Sequence, residues 1–143
     1  MIMIREALAF HEAGHAIVAL AMRKLKLLGV TINENGGFTG VSWLAGRDNF
    51  EKLCFFIAGN ISENLFSNGY SEHHSTADRA QAQEVLLLLS RDRNIQCQYF
   101  LFAAKTVQDI LNNPLNVALI YKIAAVLMAK NVLSVEEINA MMI

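Results

Sequence analysis

From Ile4 to Leu28 the chain has no proline, and its only glycine, Gly14, lies inside the pentapeptide His11-Glu-Ala-Gly-His15. The absence of breakers predicts one long helix that ends near Gly29. At about 100° per residue, Ile4, Leu8, His11, His15, Val18 and Met22 fall in one narrow stripe, so two imidazoles stand in the middle of an apolar face. This feature constrains the fold most. The face must turn inward, and whatever packs over it must satisfy both rings. A single histidine in such a place usually bonds a backbone carbonyl. Two of them one turn apart, with a glutamate between, are costly to bury unless something binds them.

Histidines at i and i+4 project about 40° apart on a helix, close enough to share one ion, and zinc takes imidazole nitrogen and carboxylate oxygen. Glu12 points about 60° around the helix from His15, beside such an ion rather than on it. There it can accept a proton from water that the ion has made acidic. A hydrolytic zinc needs a third protein ligand and a position open to water. The candidates are Glu63, His73 with His74, and Asp78. Glu63 sits in a helical segment, His73 and His74 in a polar run, and Asp78 at the end of Ser75-Thr-Ala-Asp78, which also fits a helix capping box. Spacing alone does not choose among them.

The remaining pattern is mostly helical. Val30 to Ile32 and Phe38 to Trp43 are β-prone runs separated by Asn-Glu-Asn-Gly-Gly, a turn-rich connection that predicts a hairpin. Residues 48 to 67 place Phe50, Leu53, Cys54, Ile57, Ile61 and Leu65 at helical spacing, with Gly59 in the interior. After the polar run 67 to 76, a third helical stretch reaches Leu111 with a break near Arg91 to Asn94, and Asn-Asn-Pro stops it. Leu115 to Lys130 predicts a further helix, and Ser134-Val-Glu-Glu137 a capping box that starts a short last one. The expectation is one domain over 1–143, mainly α (α+β), with one small β-hairpin.

Composition narrows the partners. Twelve basic and thirteen acidic side chains give a net charge of -1, with no electrostatic footprint for nucleic acid or an anionic membrane. The most apolar window, 117–129, carries Lys122 inside about thirteen residues, short of a membrane span. The N-terminus has an Arg5-Glu6 pair and no cleavage site for a leader, which predicts a cytoplasmic protein. Cys54 and Cys97, far apart and without CxxC spacing, predict free thiols rather than a disulfide or a metal clip. Hydrophobic residues make up 54% of the chain and the mean hydropathy is +0.32. Such a balance predicts that some apolar surface meets another copy or a partner protein.

Several blocks carry a resemblance. His11-Glu-Ala-Gly-His15-Ala-Ile-Val-Ala-Leu20, Val30-Thr-Ile, Ile57-Ala-Gly-Asn-Ile-Ser-Glu63-Asn-Leu-Phe66, Asp78-Arg-Ala-Gln-Ala82 and the closing AAVLMAKNVLSVEEI occur in a familiar order and spacing. Together the chain resembles the peptidase domain of FtsH-type AAA zinc metalloproteases. The resemblance implies a zincin-like helical peptidase fold, one Zn2+ on His11, His15 and Asp78, and Glu12 as catalytic base. Glu63 becomes the residue that orients a histidine, or the alternative ligand. The implied activity is cleavage of peptides or unfolded proteins. An edge of the strand containing Thr39, Gly40 and Val41 is a candidate for holding an extended substrate. The departures are equally plain. Asn60, Ile61 and Ser62 replace the family's Arg-Ala-Ala, and this chain carries neither the ATPase module nor a membrane segment. It is therefore expected to act without ATP on its own. The alternative expectation is a weak or inactive peptidase-like module that binds or regulates other proteins.

Overall fold

The computed structural model describes residues 2–44, 48–67 and 76–142, with side chains from residue 5 onward. Its elements, in order, are α1 (Ile2–Ala21), β1 (Leu25–Asn33), β2 (Gly36–Trp43), α2 (Asn49–Phe66), α3 (Thr76–Leu89), α4 (Arg93–Leu111), α5 (Pro114–Lys130), β3 (Val132–Ser134) and α6 (Val135–Met141). The chain is mainly helical, with a small antiparallel sheet in the order β2-β1-β3. Among the described residues no single helix is long and apolar enough to cross a membrane.

Helix α1 is the axis of the domain. Every residue from Ala7 to Ala19 is buried, so the helix is enclosed on all sides and not along one stripe alone. Small side chains at Ala9, Ala13 and Ala16 let α2, α5 and the sheet approach it closely. The tightest approach is at Gly14, where a methyl group would lie 2.2 Å from the Ser62 Cβ. Ser62 also donates its hydroxyl proton to the Phe10 carbonyl at 2.7 Å, pinning α2 against α1. At the other end, the Arg5 guanidinium donates to the Leu127 and Met128 carbonyls at the C-terminus of α5. The Leu127 carbonyl also accepts the backbone N–H of the C-cap residue Asn131, so Arg5 adds a charged donor at the end of α5 that complements the helix dipole.

The expected long first helix stops eight residues early. Leu25, Leu27, Val30 and Ile32 are buried on one face of β1, but Leu28 is an extra residue between Leu27 and Gly29. This β-bulge breaks the two-residue alternation, so KLKLLGV looks helical in sequence while it pairs as a strand. The hairpin closes where expected, with Asn33 opposite Gly36 and Gly36 at φ 145°, a backbone conformation that favours glycine. Strand β3 was not anticipated. Asn131 caps α5 in the left-handed conformation (φ 71°) and turns the chain so that Val132 to Ser134 pair with Gly29 to Thr31.

The other helix boundaries follow their caps. Asp48, Asp92 and Asn113 accept backbone N–H bonds at the starts of α2, α4 and α5, and Ser134 with Glu137 forms the expected capping box of α6. The break expected near Arg91 falls between Leu89 and Arg93. The Ser75 half of the predicted α3 capping box, with His73 and His74, lies outside the described residues. Both cysteines are free thiols, Cys54 buried and Cys97 exposed.

Candidate metal centre

Three elements bring the site together. Helix α1 places His11 and His15 one turn apart on the side that faces α2, and the first turn of α3 delivers Asp78 from above. The Asp78 Oδ2 lies 2.9 Å from the Nε2 of His11 and 2.9 Å from the Nε2 of His15, and the two Nε2 atoms are 3.3 Å apart. Each ring is oriented through its other nitrogen. The His15 Nδ1–H donates to the Phe55 carbonyl at 2.7 Å, and the His11 Nδ1–H donates to the Glu63 carboxylate at 3.1 Å. A carbonyl and a carboxylate only accept, so these bonds assign the Nδ1 protons and turn both Nε2 lone pairs towards Asp78.

Three acceptors therefore converge with no built-in donor between them. Such a cluster is repulsive unless a cation occupies it, either a proton on an imidazole or a metal ion. The distances fit the second case. A tetrahedral zinc with bonds of ~2.0–2.1 Å holds its ligand atoms ~3.3 Å apart. Triangle edges of 2.9, 2.9 and 3.3 Å need only a small expansion to match that. His11, His15 and Asp78 form a group able to hold a metal ion. Gly59 of α2 makes room for it, because a methyl group there would lie 2.4 Å and 2.5 Å from the Nε2 atoms of His11 and His15. The glycine inside a predicted helix was the sequence signal for this cradle.

The metal-free electrostatics point the same way. Burial alone would push the His11 pKa down, but the hydrogen bonds to Asp78 and Glu63, together with the charge of Glu12, more than reverse this and raise it to about 9. Burial opposes ionisation of Asp78 as well, and its bonds to His11 and His15 outweigh that and hold it well below the usual carboxylate range. Without metal, then, a proton on His11 takes the place a cation would fill. Cys54, by contrast, is an inert thiol: burial and then the charges of Glu51 and Asp48 push it up to about 12.

Glu12 is buried beside the three ligands rather than among them, as its helix phase predicts. Its Oε1 accepts a 2.7 Å hydrogen bond from the Thr39 hydroxyl, which also lies 3.2 Å from the Glu12 carbonyl. Gly37 lets β2 pass close by, since a methyl group there would meet the Glu12 Cγ at 2.7 Å. Glu12, His15 and Asp78 all line one cleft of about 190 Å³, whose other walls include Gly37, Phe38, Thr39 and Phe55. Of the three strand residues expected at a substrate edge, Thr39 lines this cleft and spends its hydroxyl on Glu12, whereas Gly40 and Val41 do not line it. Strand β2 is nevertheless an outer strand, paired only with β1 among the described residues.

Glu63 lies behind His11 and not at the convergence point, so geometry separates it from Asp78. The hydrogen bond from Thr39 to Glu12, the Phe55 carbonyl and Phe38 at the cleft were not legible in the sequence, because each depends on how the sheet and α2 meet α1. No protein-family model and no curated protein matches this chain.

Proposed function

We propose that the protein is a zinc-dependent peptidase that hydrolyses peptide bonds in peptides or unfolded segments. The observation that carries this reading is the convergence of two imidazole lone pairs and a carboxylate oxygen beside a buried glutamate, at the wall of an open cleft. The blocks shared with FtsH-type peptidases, read in the sequence, support it independently. His11, His15 and Asp78 would hold the ion, which when bound supplies Lewis acidity that acidifies water and polarises a carbonyl.

The remaining work falls to the chain's own side chains. Glu12 accepts a proton as water oxygen attacks the scissile carbonyl carbon, then delivers it to the nitrogen as the C–N bond breaks, so atoms and charge balance. Thr39 holds the Glu12 carboxylate towards the cleft. Glu63 and the Phe55 carbonyl keep the two imidazoles in the tautomer that presents Nε2. The edge of β2 that is unpaired among the described residues offers main-chain hydrogen bonds to an extended segment running past the site.

Two imidazoles with one carboxylate also suit iron(II). Glu12 at the wall of the cleft favours hydrolysis, because a carboxylate placed there can accept the proton of an attacking water. The test is metal analysis after purification without chelators, followed by cleavage of an unfolded protein such as reduced casein. One zinc per chain is expected. Glu12→Gln should keep that zinc and lose on the order of 10²–10⁴ in rate. Equal rates for wild type and Glu12→Gln would remove the assignment. A second reading, a module that binds proteins without cutting them, is favoured by the exposed apolar side chains Leu87, Leu88, Leu101 and Phe102. It predicts zinc with no hydrolysis.

A further inference from the structure

A cavity of about 270 Å³ lies where α1, the end of α2 and α5 meet, and it shares no lining residue with the cleft that contains Glu12. Three aromatic side chains line it: Phe10 of α1, Phe66 of α2 and Tyr121 of α5. The Phe10 and Phe66 rings lie 29° apart with centroids at 6.2 Å, and Tyr121 stands across them at 82° and 74°, with centroids at 5.3 and 5.8 Å. Rings in mutual contact hold one another, so this corner is formed before any guest arrives. Small and polarisable side chains complete the apolar lining, among them Ala124 and Met128 of α5.

The one carboxylate in the lining is Glu6, a turn before Phe10 on α1. It is part-buried, and among the described residues it makes no hydrogen bond or ion pair. Its neighbour Arg5 is committed to the Leu127 and Met128 carbonyls and to the Asn131 side chain. Packing accounts for the rings, but an unpaired carboxylate beside them adds nothing to packing. A cation is the guest that both features favour, since ring faces carry negative charge density and a carboxylate adds a full charge. The lining also selects among cations. A primary ammonium brings three N–H donors and a guanidinium five, whereas the side-chain acceptors here are the Glu6 carboxylate and the Tyr121 hydroxyl. A quaternary ammonium has no N–H to satisfy and presents only methyl groups to the rings. We propose that this corner is a binding site for a trimethylammonium group, carried by a small solute or by a lipid headgroup. The site stands apart from the metal centre and does not depend on the peptidase reading.

The experiment titrates the full chain, labelled at its methionine and alanine methyl groups, with choline and with the neutral isostere in which carbon replaces the choline nitrogen. The Met128 and Ala124 signals should move with choline, and choline should bind about tenfold more tightly than the isostere. Tyr121→Leu, at a half-exposed position, and Glu6→Gln should each weaken choline about twofold to fivefold and leave the isostere unchanged. A second arm separates the sources. Co-sedimentation with phosphatidylcholine vesicles but not with phosphatidylglycerol vesicles, reduced in Tyr121→Leu, assigns the group to a lipid headgroup; choline binding without co-sedimentation assigns it to a free solute. Equal binding of choline and its neutral isostere overturns the cation site. So does choline binding that neither substitution weakens, and so does the absence of any shift at Met128 and Ala124.

Discussion

The two halves of the metal centre are built to different standards of rigidity. His11 and His15 belong to α1, whose residues 7 to 19 are all buried, whereas Asp78 is in the first turn of α3, where only Ala82 and Val85 of fourteen residues are fully buried. Two ligands are therefore fixed by the core itself and the third arrives on a lightly anchored surface helix. The difference teaches that the core fixes two members of the group and leaves the third lightly held: an ion bound to all three residues would tie α3 to the core. A helix with few buried contacts opens locally at little free-energy cost, and a ligand that binds only the closed form raises that cost.

The most direct way to break the comparison is to delete one ligand from each half. His15→Ala and Asp78→Ala should each weaken zinc binding more than about a hundredfold, since even partners outside the coordination sphere are worth 10–100-fold. Their effects on the metal-free fold should diverge. Loss of the buried His15 ring leaves a hole in the core and should lower stability by about 2–5 kcal/mol. Loss of the part-buried Asp78 carboxylate removes no core volume but leaves His11 and His15 without their shared partner, and should cost about 1–2 kcal/mol. Denaturant titrations of both variants without metal check this, and equal losses would mean that α3 is as firmly held as α1. Hydrogen exchange sharpens the same point in the wild type. At a free zinc concentration 100 times its Kd, amides of α3 that exchange by helix opening should slow by up to about a hundredfold, and those of α1 far less. Gly59→Ala should act on the fixed half, because its methyl group would meet both imidazoles. It should cost about 1–3 kcal/mol and reduce zinc affinity, both measurable in one metal-dependent melting series.

The fixed half was also the legible one. Helix phase alone put His11 and His15 inward with Glu12 at their side, and the Ser134–Glu137 capping box placed the start of α6. The bulge at Leu28 defeated the periodicity of β1, since one inserted residue shifts every later side chain to the other phase. Val132 to Ser134 were too short for any periodicity to show, and only their pairing with β1 makes them a strand. At the site, spacing left Glu63, His73 with His74, and Asp78 open as third ligands. Three-dimensional placement separates the two that are described: Glu63 meets the Nδ1 of His11, and Asp78 meets both Nε2 atoms. Glu12 was legible as a carboxylate beside the histidine pair, but its hydrogen bond from Thr39 was not, because the contact spans twenty-seven residues and depends on the hairpin folding over α1.

A dependence of about tenfold per pH unit tests whether a proton and a metal ion compete for the same place. His11 is raised to about 9 in the metal-free protein, above an ordinary histidine value near 6.5, so its favourable pairing is fully present below ~6.5 and is lost as pH rises through about 9. Asp78 is lowered, so its contribution is present above ~3.8 and is lost as pH falls below that. Both act together between pH ~4 and ~6.5, where the metal-free protein should melt highest as far as these two groups decide it, and its Tm should decline from there towards pH 9. Zinc must displace the proton from His11 Nε2 before it binds, so its apparent affinity should rise about tenfold per unit from pH 6.5 to 8.5 and level off near 9. The zinc-loaded protein should accordingly gain stability relative to the metal-free form over the same interval in which the latter loses it. Melting curves with and without zinc, taken from pH 5 to 9.5, measure both slopes at once. Parallel curves would mean that the ion binds somewhere other than the meeting point of His11, His15 and Asp78, whereas curves that diverge up to pH 9 and then run level place proton and metal in the same cradle beneath Gly59.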